Sequence, residues 1–230
     1  MNKKIKTIGM VVAMDKEIKP FLESVGKPIL VKKKGQFEVF GYKTKGKKIY
    51  LIKSGIGEIY ASSATQLLIS EYKVDLIMNF GVCGSLNSSV GLLDTVIIKG
   101  VVHYDFDLSQ IDNVAVGQYP GYDTPVIPCD DRYISIIKKV MDGVSEAICA
   151  SADKFVADKG IKDYLYSTFG ATVCDMESAG VLLTSSGANV PAIIIKAVSD
   201  GEGGVEDFNA LVHKASRAYV NAVNEIIKEF

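Results

Sequence analysis

Five apolar runs, each ending in a glycine or an acidic turn, most constrain how this chain can fold. They lie at residues 8–13 and 76–80, at Thr95–His103, around Ile148 and at 192–198. Segments with the apolar spacing of helices follow them. Nearly continuous apolar strands that alternate with helices are typical of a sheet with parallel strands. The sequence therefore predicts an α/β fold with a central mixed, twisted β-sheet flanked by helices.

The other predicted elements fit the same plan. Three shorter strands, at 29–33, 37–42 and 48–53, form a small meander. Helices are predicted over Asp15–Val25, Glu58–Tyr72, 130–141, 176–186 and 208–230. The stretches 105–128 and 151–170 are predicted as long loops that wall a site or a subunit contact. The 230 residues contain no evident linker, so we expect one domain over 1–230.

Charge and composition exclude several classes of function. The 26 basic and 27 acidic residues give a formal net charge of -1, which favours neither nucleic acid nor a membrane surface as a partner. The first apolar run is too short to span a membrane. The four cysteines show no CxxC spacing, and His103 and His213 are the only histidines. We therefore expect a cytoplasmic protein with reduced thiols, no metal site and a small-molecule ligand.

Candidate site residues follow the strands, where ligands collect in α/β sheets. After the first strand, Asp15 fits an N-cap, and Glu17 fits a first-turn acid that the helix dipole favours. After the second, the glycines of the predicted turn at 81–85 would let backbone approach a ligand. Cys83 in that turn fits a small buried thiol better than a nucleophile, since neither histidine is placed as its base.

Two later segments carry further carboxyl groups. Glu177 follows Met176, and a thioether beside a carboxylate suits a ribose, although capping of a helix also explains an acid there. Asp200 ends the last apolar run and precedes a glycine-rich loop. Burial would raise the pKa of Asp200 and make it a proton donor to a leaving group, but a turn residue before glycine is the simpler explanation.

These segments, in this order, resemble the nucleoside phosphorylase and nucleosidase superfamily, most closely its 5'-methylthioadenosine/S-adenosylhomocysteine nucleosidases. The Asp-Met-Glu run at 175–177 and the Ser-Asp pair at 199–200 carry the resemblance. It extends over 8–18, 54–57, 79–86, 103–107, 118–121, 153–156, 173–179 and 196–200.

The resemblance implies a role for each site residue. Asp200 protonates the purine at N7, Glu17 activates water at the anomeric carbon, and Glu177 binds the ribose hydroxyls. The other residues implied to contact substrate are Met176 beneath the sugar, Phe155 and Val156 around the base, Ser199 supporting Asp200, Val82, Cys83 and Gly84 near the base, and Phe208 closing on the ligand. By the resemblance, residues 103–107 and the loop to Pro120 match the part of the family that lines the dimer contact. The loop 105–128 itself also predicts a homodimer, since Phe106, Tyr119 and Tyr122 exceed the needs of a solvated loop. No cofactor is predicted.

The main alternative is a phosphate-dependent purine nucleoside phosphorylase. Phosphorylases of the superfamily hold phosphate with several arginines, whereas Arg132 and Arg217 are the only arginines here. Carboxylates would repel a phosphate dianion but suit a water nucleophile. Lys16 or Lys53 as point charges keep the alternative open.

Departures from the family pattern leave the substrate open. They are Val82 and Cys83, the acidic glycine-rich run at 201–204, and the order His103-Tyr104. Inosine or a menaquinone-pathway purine nucleoside is an alternative substrate. A nucleoside sensor that binds without turnover is a third hypothesis.

Overall fold

A mixed β-sheet forms the centre of the molecule in the computed structural model, which describes residues 4–230. Its strands are β1 Thr7–Val12, β2 Leu30–Lys34, β3 Phe37–Thr44, β4 Lys47–Lys53, β5 Leu76–Ser85, β6 Thr95–His103, β7 Ile127–Pro128, β8 Ser145–Ser151, β9 Val173–Asp175 and β10 Ala192–Asp200. The helices are α1 Asp15–Val25, α2 Glu58–Tyr72, α3 Asp131–Val140, α4 Lys159–Phe169, α5 Ser178–Gly187 and α6 Val205–Glu229. The predicted fold class is confirmed.

Strand β5 connects the two parts of the sheet. It runs parallel to β1 on one side and to β10 on the other, and its last residues pair antiparallel with β9. Strand β10 pairs with β6, β6 with β8, and β8 with β9. Strands β5, β10, β6, β8 and β9 thus close into a ring, which the sequence did not predict. Strands β1, β4, β3 and β2 extend from this ring, and β2 to β4 form the predicted antiparallel meander.

The helices bury their apolar faces in two groups. Helix α2 packs against α5 and β1, while α6 packs on β10 and β5 and against α1 and α3. The predicted helix 208–230 corresponds to α6, whose apolar face is buried, because Val212, Ala215, Tyr219 and Val223 are fully buried. Within residues 4–230, no helix combines the length and apolar character needed to cross a membrane.

Two predictions that concern helices are wrong. Much of the predicted loop 151–170 is helix α4, which begins where Asp158 accepts a hydrogen bond from the Ile161 amide at 2.9 Å. The helix was missed because its buried stripe is narrow, with Leu165 and Phe169 as its apolar members. Asp15 is not the N-cap of α1 but its first residue, since Met14 occupies the cap position and Asp15 pairs with Lys53.

Candidate active site

A cavity of about 350 Å³ lies at the carboxyl ends of β1, β5, β9 and β10. Every residue that the sequence analysis assigned to catalysis or substrate binding lines it: Glu17, Val82, Cys83, Gly84, Phe155, Val156, Met176, Glu177, Ser199, Asp200 and Phe208. The lining also includes Met14, Ile56, Lys154, Cys174 and Asp175, which that assignment did not include. The loop 105–128 contributes nothing to the lining within this chain.

Glu17 is fixed by the start of α1 and by the neighbouring strand. Its side chain is 2% exposed. One carboxylate oxygen accepts from the Met14 amide at 2.9 Å and the other from the Val82 amide at 2.8 Å. Burial raises the pKa of Glu17, against the opposing effect of the Lys196 charge and of these hydrogen bonds. Glu17 is thus a rigidly held carboxyl group in the cavity wall.

Asp200 is the last residue of β10 and is 3% exposed. The Ser199 hydroxyl donates a hydrogen bond to Oδ1 of Asp200 at 2.7 Å. Burial raises the pKa of Asp200, against the opposing effects of Ser199 and Lys162. The predicted desolvated carboxyl group is confirmed, and Asp200 belongs to strand β10 rather than to the turn that follows it.

Two glycines of β5 make room for these acids. A Cβ atom at Gly81 would lie 2.5 Å from Oε1 of Glu17, and one at Gly84 would lie 2.7 Å from Oδ2 of Asp200. The predicted turn at 81–85 is wrong, because β5 continues through both glycines to Ser85. The two glycines allow the side chains of Glu17 and Asp200 to approach the strand closely.

Glu177 occupies the N-cap position of α5 and is buried. Its Oε1 atom accepts a hydrogen bond from the Gly57 amide at 2.9 Å. Burial is the largest influence on Glu177 and raises its pKa to about 8, with repulsion from Asp175 and Glu17 adding to the rise and Lys196 opposing it. A third carboxyl group therefore faces the cavity.

A buried ion pair, missed by sequence reasoning, lies behind these acids. Lys196, in the middle of β10, is 1% exposed, and its Nζ atom lies 2.7 Å from Oδ2 of Asp175. Burial alone would raise the pKa of Asp175, but the Lys196 charge and hydrogen bonds from Ser151 and Ser178 hold it below its usual range. The sequence signal for this ion pair is a lysine, Lys196, inside an otherwise apolar strand.

The rest of the cavity wall is mostly apolar, although Lys154 and Ser199 also line it. The rings of Phe155 and Phe208 meet edge to face with centroids 5.8 Å apart. Cys83 is buried, and burial raises the pKa of its thiol far above the usual range, which supports the interpretation as a small buried thiol. Carboxyl groups beside aromatic surface suit a ligand that joins a flat ring to a hydroxyl-bearing one.

Within residues 4–230, no cluster of three or more His, Cys, Asp or Glu side chains could hold a metal ion.

Comparison with known proteins identifies the family. Residues 7–230 match the model of the phosphorylase superfamily. The chain belongs to the phosphorylase superfamily. This superfamily member is 32% identical to the 5'-methylthioadenosine/S-adenosylhomocysteine nucleosidase of Buchnera aphidicola, over 90% of this chain and 88% of the relative. The resemblance to these nucleosidases is therefore confirmed.

Solved structures agree with the superfamily assignment. The Helicobacter pylori 5'-methylthioadenosine/S-adenosylhomocysteine nucleosidase, solved in complex with a substituted pyrrolidin-3-ol, superposes with a TM-score of 0.93 at 26% identity, covering 99% of this chain and 100% of the other. The native futalosine hydrolase of the same species also gives a TM-score of 0.93 at 26% identity, covering 98% and 99%.

Proposed function

We propose that this protein hydrolyses the N-glycosidic bond of 5'-methylthioadenosine or S-adenosylhomocysteine, releasing adenine and a 5-thio-substituted ribose. The observation that carries the proposal is that Glu17, Glu177 and Asp200 line one cavity beside an aromatic surface. The similarity to nucleosidases of that name supports this substrate class. We also propose that the chain, residues 1–230, forms a single catalytic domain.

Asp200 acts as the general acid. Breaking the bond between N9 of adenine and C1' of ribose leaves the bonding electrons on the base. A protonated Asp200 gives its proton to N7, so the base departs neutral. Ser199, which donates to Oδ1, orients the carboxyl group. Such an acid supplies about 3 to 5 kcal/mol of barrier lowering.

Glu17 and Glu177 act on the sugar. Positive charge develops on the ribose as the bond breaks, and nearby carboxylates stabilise it. Water attacks C1', and Glu17 accepts the proton that the water loses. Glu177 accepts hydrogen bonds from the ribose hydroxyls. The Lys196 charge opposes the rise that burial causes in the pKa of both glutamates, and it thereby favours their accepting, ionised forms.

The remaining cavity residues hold the substrate. Phe155 and Phe208 pack on the base with Val156, Met176 lies under the sugar, and Val82, Cys83 and Gly84 border the base. The reaction needs water and the nucleoside, and no cofactor enters it.

The positions of the cations support water over phosphate as the nucleophile. Arg132 pairs with Asp130 and Arg217 with Glu23, and neither arginine lines the cavity. Within the described part of the chain, residues 4–230, Lys154 is the one Lys or Arg in the lining. A single flexible ammonium group is a poor substitute for the bidentate donors that phosphate recognition usually employs.

We expect adenine release from methylthioadenosine in phosphate-free buffer, at a rate that added phosphate does not raise. Glu17→Gln should lower kcat by about 100-fold to 10,000-fold, since it removes the base that takes the water proton. Glu23→Gln, an exposed change on the same helix, is the matched control. Chromatography of the products provides the measurement, and a requirement for phosphate with formation of ribose 1-phosphate would establish the phosphorylase instead.

The choice of nucleoside needs a separate comparison. The futalosine hydrolase superposes as closely as the methylthioadenosine enzyme, which favours futalosine as a second candidate substrate. Assays of this protein with adenine and hypoxanthine nucleosides, futalosine and inosine among them, would rank the candidates. Tight binding of a nucleoside without cleavage of any of them would support the sensor hypothesis.

We also propose that the protein is a cytoplasmic homodimer. In the loop 105–128, the rings of Phe106 and Tyr119 stack with their centroids 3.8 Å apart. Ile111 in the same loop is 78% exposed. We expect light scattering at micromolar concentration to give twice the chain mass of 24.8 kDa. Ile111→Asp should yield monomer, whereas Ile29→Asp, an equally exposed isoleucine next to β2, should not. A wild-type monomer would refute the dimer.

A further inference from the structure

One buried serine hydroxyl lies between two carboxyl groups. The Oγ atom of Ser151 is 2.5 Å from Oε1 of Glu58 and 2.6 Å from Oδ1 of Asp175. All three residues are buried, and Glu58 does not line the cavity. The Ala179 amide already donates to this Oγ atom, at 3.1 Å. Glu58 therefore belongs to a polar network behind the active site.

The hydrogen count of this network requires an extra proton. A serine hydroxyl carries one proton, so Ser151 can donate to one carboxylate only. If both acids were ionised, Ser151 Oγ would lie against the oxygen of the other carboxylate with no proton between the two atoms. Such a contact is costly in a buried site. One carboxyl group must therefore donate a proton to Ser151, and Ser151 donates its own to the other.

The surroundings place that proton on Glu58. Asp175 has a cation, Lys196, at 2.7 Å, and it accepts from the Ser178 hydroxyl at 2.5 Å. Glu58 forms no ion pair with any Lys or Arg of residues 4–230, and its Oε2 atom accepts from the Gly180 amide. The titratable groups that interact electrostatically with it are acids or phenols: Asp175, Asp153, Tyr104 and Tyr119. Burial, followed by the Asp175 charge, raises the pKa of Glu58 to about 7.

Glu58 also connects to the sugar-binding acid. It is the first residue of α2, and the amide of the preceding Gly57 donates to Glu177 at 2.9 Å. Its other carboxyl oxygen is held by the Gly180 amide in the first turn of α5, the helix that Glu177 caps. A shift of Glu58 would therefore move the hydrogen-bond donor of Glu177 and the start of its helix together.

We propose that Glu58, carrying a proton that it donates to Ser151, is a positioning residue that holds Glu177 in place for substrate. The role of Glu177 rests on the proposed function; the proton on Glu58 does not. When Glu58 ionises, Ser151 can no longer satisfy both carboxylates, and the junction between α2 and α5 loosens. Substrate binding should weaken as the pH rises through about 7, the value to which the pKa of Glu58 is raised.

The first test is a pH titration of the protein with isotope-labelled glutamate carboxyl carbons, followed by NMR. The wild type should show a glutamate that titrates near pH 7, and Glu58→Gln should lack this transition while keeping that of Glu177, whose pKa is about 8. Glu71→Gln, at the exposed end of the same helix, should retain both. A wild type with no transition that Glu58→Gln removes would overturn the proposal. This readout is independent of whether the protein cleaves any nucleoside.

The second test is kinetic. Glu58→Gln keeps a donor for Ser151 and an acceptor for Gly180, so its KM for methylthioadenosine at pH 6 should match that of the wild type. Between pH 6 and 8.5 the wild-type KM should rise by about threefold or more relative to this variant, because only the wild type ionises. Glu58→Ala should raise KM by roughly tenfold at every pH, with kcat less affected. Parallel profiles for wild type and Glu58→Gln would refute the positioning role.

If Glu58→Gln does not fold, Ser151→Ala decides the matter. It removes the one hydrogen-bond partner that Oε1 of Glu58 has among residues 4–230, so the transition near pH 7 should move by a measurable amount. An unmoved transition would show that the two groups are not linked.

Discussion

Asp200→Asn is expected to lower kcat for adenine release by about 100-fold to 10,000-fold while leaving substrate binding largely intact. The amide keeps the size of the side chain and its hydrogen bond from Ser199, but it cannot give a proton to the departing base. Asp142→Asn, an exposed change two residues after the end of α3, is the matched control. Single-turnover measurement of adenine release separates the chemical step from binding. A variant that retained a tenth or more of the wild-type kcat would exclude Asp200 as the general acid.

Because the pKa of Asp200 is raised, both the stability and the activity of the protein should depend on pH. A group whose pKa is higher in the folded than in the unfolded state favours folding at low pH, and this contribution is lost as pH rises through the folded-state value. Activity that requires the protonated acid falls over the same rise. Asparagine does not ionise, so Asp200→Asn should be at least as stable as the wild type at neutral pH. Inactivity combined with undiminished thermal stability would distinguish a lost proton donor from a damaged fold.

Lys196→Met should destabilise the protein by about 3 to 5 kcal/mol at neutral pH, because it leaves Asp175 buried without its cation. Urea unfolding, with the slope checked against wild type, gives the measurement. Lys53→Met breaks the exposed pair with Asp15 and should cost less than about 1 kcal/mol. A loss of that small size in Lys196→Met would show that the buried pair contributes little.

The direction of the pH dependence follows from the lowered pKa of Asp175. Its ionised form contributes stability above the unfolded-state pKa, and this contribution is lost as pH falls through the folded-state value. The penalty of Lys196→Met should therefore shrink in acid. Adding Asp175→Asn should restore part of the stability at neutral pH, because no unpaired charge remains. Activity should also fall in Lys196→Met, since Glu17 and Glu177 lose the charge that opposes the rise in their pKa.

The sequence was informative where a signal is local. Apolar runs located the main strands, and helical spacing gave Asp15–Val25 and Glu58–Tyr72 with their observed bounds. Since parallel strands end at one edge of a sheet, the acids that follow them could be expected to meet, and Glu17, Glu177 and Asp200 do line one cavity. Their assignment to a nucleosidase came from the family resemblance rather than from residue chemistry alone.

The features that escaped prediction depend on contacts between distant parts of the chain. Ser151 is 93 residues from Glu58, and Gly57 is 120 residues from Glu177. No local spacing in the sequence predicts either contact. Closure of the strand ring likewise depends on β5 pairing with both β10 and β9. Helix α4 was missed for a different reason, because its narrow apolar stripe is flanked by exposed Tyr164 and Tyr166.

The two glycines of β5 bear on how such a scaffold can diversify. Each lies next to one of the two catalytic acids, and the two glycines are three steps apart along the extended strand, or about 10 Å at about 3.3 Å per residue. The backbone of β5 thus constrains the distance between the proton donor, Asp200, and the water activator, Glu17. A change in that distance would require a change in the central strand. The side chains that border the base and the sugar carry no such constraint. New nucleosides can therefore be accommodated by point changes in the wall while the same bond continues to be cut.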